Sequence, residues 1–173
     1  MDALKVVSGE IRKLRNRIAK VEEAIKHIPK EINEIETQLE TLRGLLSKKE
    51  TETLSVAKDI RALEHEFTEI KQKILYHDKY LRRADFPREY ERLIKERDKL
   101  TTRAFELSNR IAELRSKYDR LKAEELELYQ KEQELEQELY RKKKEYGALL
   151  NELRGLTQLL ERKVREIEEK FNL

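Results

Sequence analysis

The sequence predicts an all-α protein, a long antiparallel two-helix coiled-coil hairpin, and three observations carry that prediction. Apolar residues recur at alternating steps of three and four along nearly the whole chain. Charged residues make up 43% of the sequence, where a compact globular domain has about 25%. A proline-containing break, Arg82-Arg83-Ala84-Asp85-Phe86-Pro87-Arg88-Glu89, falls almost at the midpoint of the 173 residues. Seven residues per two steps is the 3.5-residue period that keeps one stripe of a helix facing a partner helix. Residues 1–173 are therefore read as one hairpin: a first helix over 1–81, a tip turn over 82–89 and a second helix over 90–173.

The first helix has the stronger seam. It runs from Leu4, Val7, Ile11, Leu14, Ile18 and Val21 through Ile28, Ile35, Leu42 and Ile70 to Leu81, interrupted by Lys49, Thr53 and His77. Pro29 lies inside it, but the heptad passes from Ile28 to Ile32 without a change of phase, which predicts a bend and not a break. In the turn, Pro87 disfavours a helical Phe86, and Asp85 can cap the helix that follows. The second seam resumes at Tyr90 and Leu93 and is weaker. Polar residues occupy it at Arg97, Glu125, Glu132, Lys142 and Lys163. Each helix of roughly 80 residues would be about 120 Å long at about 1.5 Å per residue.

Folding the chain about Pro87 sets Leu81 against Leu93, Pro29 level with Glu145, and Lys49 against Glu125. A Lys in one seam meeting a Glu in the other is what a register-fixing polar pair requires. A slip of one heptad sets Lys49 against Tyr118 or Glu132; the first loses the charge match and the second keeps it. The position of Pro87 favours the Glu125 register. His77 then faces Arg97 near the closed end, where a polar layer loosens the packing.

Composition excludes several functions. The formal net charge of +3 argues against a dedicated nucleic-acid binder. With no cysteine there is no disulfide, thiolate zinc site or thiol nucleophile. No apolar run approaches the roughly 18–20 residues of a membrane span, and no signal-peptide core opens the chain. A cytoplasmic protein without membrane attachment is expected. There is no Gly-rich phosphate loop, GxSxG or HExxH, so no catalytic residue, metal ligand or cofactor is assigned and no enzymatic activity is expected. The cluster Glu64-His65-Glu66 with Glu69 reads as a solvated face.

Two features stand out from this background. Residues 71–103 hold eleven Lys or Arg against six Asp or Glu, together with four of the eleven aromatics. Tyr76, Tyr80, Arg82, Arg83, Phe86, Arg88 and Tyr90 form a basic, aromatic knob suited to a protein partner, and more weakly to nucleic acid. The same aromatics would equally serve to close the end of the hairpin. The second feature is a discontinuous apolar stripe on the second helix, outside the seam, with Phe105, Leu126, Tyr129 and Tyr140 along it. Leu150, Val164 and Phe171, near the open end, are its candidates for self-association, giving a monomer or a modest homodimer.

Three stretches resemble a bacterial family of long antiparallel coiled-coil hairpins that usually carry a C-terminal zinc ribbon. They are His27-Ile28-Pro29-Lys30-Glu31-Ile32 with Glu34-Ile35-Glu36, Arg88-Glu89-Tyr90-Glu91-Arg92-Leu93-Ile94-Lys95-Glu96 just after the turn, and the descent from Leu107 to Leu121. The Pro29 segment and Glu89, Tyr90 and Leu93 are the most specific. The resemblance implies a non-enzymatic adaptor or chaperone-like hairpin in flagellar, secretion or transcription-related assembly, where relatives bind an alternative sigma factor or, in some cases, RNA. The cysteines of the ribbon are missing here, so nothing that depends on the ribbon carries over. Two other readings remain open. A coiled-coil stalk of a flagellar or type III secretion ATPase would bind through its termini, and an RNA-binding rod would lose affinity steeply with salt.

Overall fold

The computed structural model describes residues 2–171. It consists of two long helices, α1 (Asp2–Leu81) and α2 (Pro87–Phe171), and a short turn between them. The helices run antiparallel and form an all-α hairpin. Helix α1 continues through Pro29, as the unbroken heptad phase predicts. No helix among the described residues is long and apolar enough to cross a membrane.

The turn is shorter than the sequence suggests. After Leu81 the chain tightens, with the Arg83 N–H donating to the Tyr80 carbonyl at 3.0 Å and the Ala84 N–H to the Leu81 carbonyl at 3.4 Å. Helix α2 then begins at Pro87, three residues before the expected Tyr90. The reason is the tolerance of proline at the first helical position, where its missing N–H would be unpaired anyway. The Phe86 carbonyl accepts from the Tyr90 N–H at 3.0 Å, which makes Phe86 the capping residue and leaves Asp85 one position outside. Asp85 is therefore not the helix cap.

The paired helices divide into two compact units, Met1–Arg43 with Gln130–Leu173, and Gly44–Tyr129. In the Gly44–Tyr129 unit the core is a ladder of predicted seam residues. Val56, Leu114 and Leu121 are buried together, with Ile60, Leu63 and Tyr118 packed against them. In the other unit Val21, Ile28, Ile35, Leu39 and Leu42 of α1 are buried, while no residue of α2 is. Every buried residue among those described lies on the heptad seam. Fully burying a Leu or Val stabilises the fold by about 1.5–3 kcal/mol, so this single stripe holds the helices together.

Ion pairs fix the register within each unit. In the unit of both termini, Lys142 reaches Glu31 at 2.7 Å, Lys163 reaches Glu10 at 2.9 Å, and Arg17 reaches Glu152 at 2.5 Å. In the Gly44–Tyr129 unit, Lys49 reaches Glu124 at 2.5 Å, His77 reaches Glu96 at 3.0 Å, and Arg97 reaches Asp78 at 2.6 Å. Four of these six pairs lie one residue to one side of the register centred on Pro87, Arg17–Glu152 lies five residues to the same side, and Arg97–Asp78 lies one residue to the other. A slip of one heptad would displace all of them to one side. The predicted partner of Lys49 is corrected by one residue: it pairs with Glu124, because its long side chain leaves the seam and meets the neighbouring carboxylate at the edge. His77 likewise faces Glu96, and Arg97 faces Asp78, a crossed pairing in place of the expected His77–Arg97 contact.

Candidate partner-binding surface at the closed end

The closed end lies within the Gly44–Tyr129 unit. Here the seam runs out of opposing helix, so its last side chains lose their cover. Leu93 is still buried, but Tyr90, one step nearer the turn, is exposed. The sequence places Tyr90 in the seam; the structure places it on the surface, because the residues opposite belong to the turn. Phe86 is 70% exposed at the apex, and Tyr76 58%. Tyr80 is also exposed, as are Arg82, Arg83 and Arg88. The seven residues singled out from the sequence are thus all on the surface.

Some of them are brought together and others only adjoin. Tyr76 and Tyr80, one helical turn apart, have ring centroids 4.5 Å apart at a 55° tilt. The Tyr76 hydroxyl donates to the Tyr80 hydroxyl at 2.9 Å, and that hydrogen bond raises the Tyr76 pKa above its ordinary value. Tyr76 also meets the His77 ring edge-on at 6.3 Å. Phe86 and Tyr90 are joined through the backbone at the start of α2. Arg82, Arg83, Arg88 and the nearby Arg92 form no ion pair among the described residues. Leu75, next to Tyr76 in the sequence, is 69% exposed; a single apolar residue off the seam carries no periodic signal.

Behind this surface, polar side chains of the two helices meet in pairs, some exposed and some buried. His77 has an acceptor at each ring nitrogen: Glu96 Oε2 lies 3.0 Å from Nε2, and the Lys73 carbonyl 2.9 Å from Nδ1. The Glu96 carboxylate, and then the carbonyl, raise the His77 pKa above its ordinary value. Farther from the turn, Glu125 is only 5% exposed, and Thr53 3%. The Thr53 hydroxyl lies 2.6 Å from Glu125 Oε1, and Lys122 Nζ is 3.4 Å from Oε2. Lys49 and Glu124 bond at 2.5 Å alongside them, a contact that raises the lysine pKa and lowers that of the glutamate.

The other predicted residues lie in the unit that contains both termini. Leu150 and Phe171 are exposed near the open end, while Val164 is half-buried. Tyr140 is exposed beside a groove of about 440 Å³ lined by Leu39, Arg43 and Leu139. His65 is exposed and pairs with Glu69 at 3.1 Å along its own helix.

No protein-family model matches the chain, and no solved structure matches it. The chain is similar to an uncharacterized protein of Aquifex aeolicus (strain VF5), with 59% identity over 97 residues. That similarity spans 56% of this chain and 54% of the relative, so the match covers about half the length of each.

Proposed function

We propose that this hairpin is a non-enzymatic adaptor, chaperone-like in its action, that holds a protein partner at its closed end. One observation carries the reading: exposed Tyr76, Tyr80, Phe86 and Tyr90 stand among Arg82, Arg83 and Arg88, which form no ion pair among the described residues. Tyr and Arg are the residue types that most often dominate binding energy, and unpaired charge speeds encounter with a partner. The family resemblance of the sequence supports the same role. Self-association, where it occurs, uses Leu150, Val164 and Phe171, and a Leu150→Glu, Val164→Glu variant should then be monomeric by light scattering.

A photo-crosslinking residue in place of Phe86 tests the main reading, in wild type and in an Arg82→Glu, Arg83→Glu, Arg88→Glu background. The expected result is a discrete crosslinked partner that the triple variant loses while its helicity is unchanged. Equal crosslinking in both, with binding abolished by truncating the open end, would favour the ATPase-stalk alternative instead.

A further inference from the structure

We propose that the closed end takes an acidic, amphipathic polypeptide segment, one that sets carboxylates beside apolar or aromatic side chains. This rests on the reading of the closed end as the partner-binding surface and names the chemistry of what it binds. Four observations favour such a segment over a nucleic acid.

Unpaired charge comes first. Away from the turn, five arginines meet a carboxylate across the hairpin, among them Arg97 with Asp78 at 2.6 Å, Arg103 with Glu66 at 3.0 Å, and Arg115 with Glu64. Those without an ion pair, such as Arg61 and Arg120, are spread along the helices, whereas four stand together at the turn. At the turn, Arg82, Arg83, Arg88 and Arg92 have no such partner among the described residues. Their planar donor forks are free to take carboxylates in two-pronged fashion. A second point is the apolar component. Phe86 at the apex is 70% exposed, and Leu75, next to Tyr76 in the sequence, 69%. An aliphatic side chain such as Leu75 gains little from a phosphate backbone, but it would gain by burial against a polypeptide.

Third, the tyrosines are arranged as hydroxyl donors, not as base platforms. The rings of Tyr76 and Tyr80 tilt at 55° to each other and engage one another at 4.5 Å, so they do not offer successive parallel faces for stacked bases. Because Tyr76 donates to Tyr80, the Tyr80 hydroxyl hydrogen remains available to an incoming acceptor. Fourth, Asp85, Glu89 and Glu91 interleave with the arginines and form no ion pair among the described residues. A continuous phosphate track would meet these carboxylates and be repelled. A polypeptide can place its own charges only where the arginines are.

A random peptide library panned on the full-length protein, immobilised, tests this directly. Retention is compared with two variants of unchanged helicity, Phe86→Ser and Arg82→Gln, Arg83→Gln, Arg88→Gln. Peptides that require the closed end should be rich in Asp or Glu beside Phe, Leu or Trp. A synthetic peptide of that kind should lose about tenfold or more in affinity with either variant. Closed-end peptides that are neutral or basic would overturn the inference and leave the binding surface standing. So would tighter binding of an oligouridylate than of any selected peptide, if it is lost in the same variants. No peptide sensitive to either variant would overturn both.

Discussion

The Thr53 hydroxyl has one hydrogen and two oxygens within reach, Glu125 Oε1 at 2.6 Å and the Lys49 carbonyl at 2.8 Å. The carboxylate is the stronger claimant, because a charged acceptor roughly doubles the strength of a hydrogen bond. Thr53→Val would leave Glu125 buried with Lys122 alone, and should cost about 1–3 kcal/mol in urea unfolding. Adding Glu125→Leu should recover most of that loss, since replacing both members of a buried polar pair is often neutral. A neutral Thr53→Val would show that the carboxylate finds its partner elsewhere. His77 invites a pH experiment. It faces Glu96 and the Lys73 carbonyl, with Asp78 close by and itself paired to Arg97. Its folded pKa is raised above the ordinary value of 6.5. The stability it contributes is therefore complete below about pH 6.5 and is lost as the pH rises through the raised value. Thermal unfolding of wild type should weaken across that window, and Glu96→Gln, which removes the largest cause, should flatten the dependence. A dependence unchanged by Glu96→Gln would locate it in another group.

At the scale of the helices, the seam was legible and its polar interruptions were not. Val21, Leu107 and Leu121, all on the predicted stripe, are among the least exposed residues of the chain, because a 3.5-residue period admits only one partner-facing stripe. Lys49, Thr53, His77, Arg97, Glu132, Lys142 and Lys163 interrupt the apolar seam, and of these only Lys49 has a partner of opposite charge expected from the sequence, at Glu125. In the structure each meets a polar partner on the other helix, at Glu124, Glu125, Glu96, Asp78, Arg43, Glu31 and Glu10. Heptad notation assigns a layer but not the side on which a long side chain leaves it, so most partners lie one residue from the position it names. The start of α2 was missed for a local reason, since proline both ends one helix and opens another. The seam also sorts substitutions. Leu107→Ala, at 1% exposure, should cost about 2–5 kcal/mol, whereas the exposed Leu126→Ala should stay within about 0.5 kcal/mol. Gly44→Ala, where an added Cβ meets nothing within 4 Å, should stabilise by about 0.5–1 kcal/mol. Calorimetry of the three variants checks the order.

The distribution of burial over the whole chain sets where it opens. In the Gly44–Tyr129 unit both helices contribute buried residues, among them Val56 and Ile70 from α1 and Leu107, Ile111, Leu114 and Leu121 from α2. In the unit formed by Met1–Arg43 and Gln130–Leu173, burial is one-sided. Val21, Ile28, Ile35 and Leu39 of α1 are covered, while the facing seam of α2 carries Lys142, Tyr146 and Lys163 and has no buried residue among those described. Lys142 and Lys163 lie opposite Ile32 and Ile11, which are only half-buried, because a lysine covers an aliphatic neighbour with its stem while its amine stays in water. Such a lining excludes water less completely than Leu against Leu, and local opening is easiest where few apolar contacts hold. Amide exchange should therefore be slower by about tenfold or more over residues 107–121 than over residues 142–160, a difference of about 1.4 kcal/mol in opening free energy. Within the unit of both termini, α1 residues 21–39 should be better protected than α2 residues 135–153, although the two segments face each other. Replacing Lys142 with Leu should narrow that gap by restoring an apolar layer, at the loss of its ion pair with Glu31. Equal protection along α2 in wild type would show that the one-sided burial has no energetic consequence, and that the helices open as a single cooperative piece.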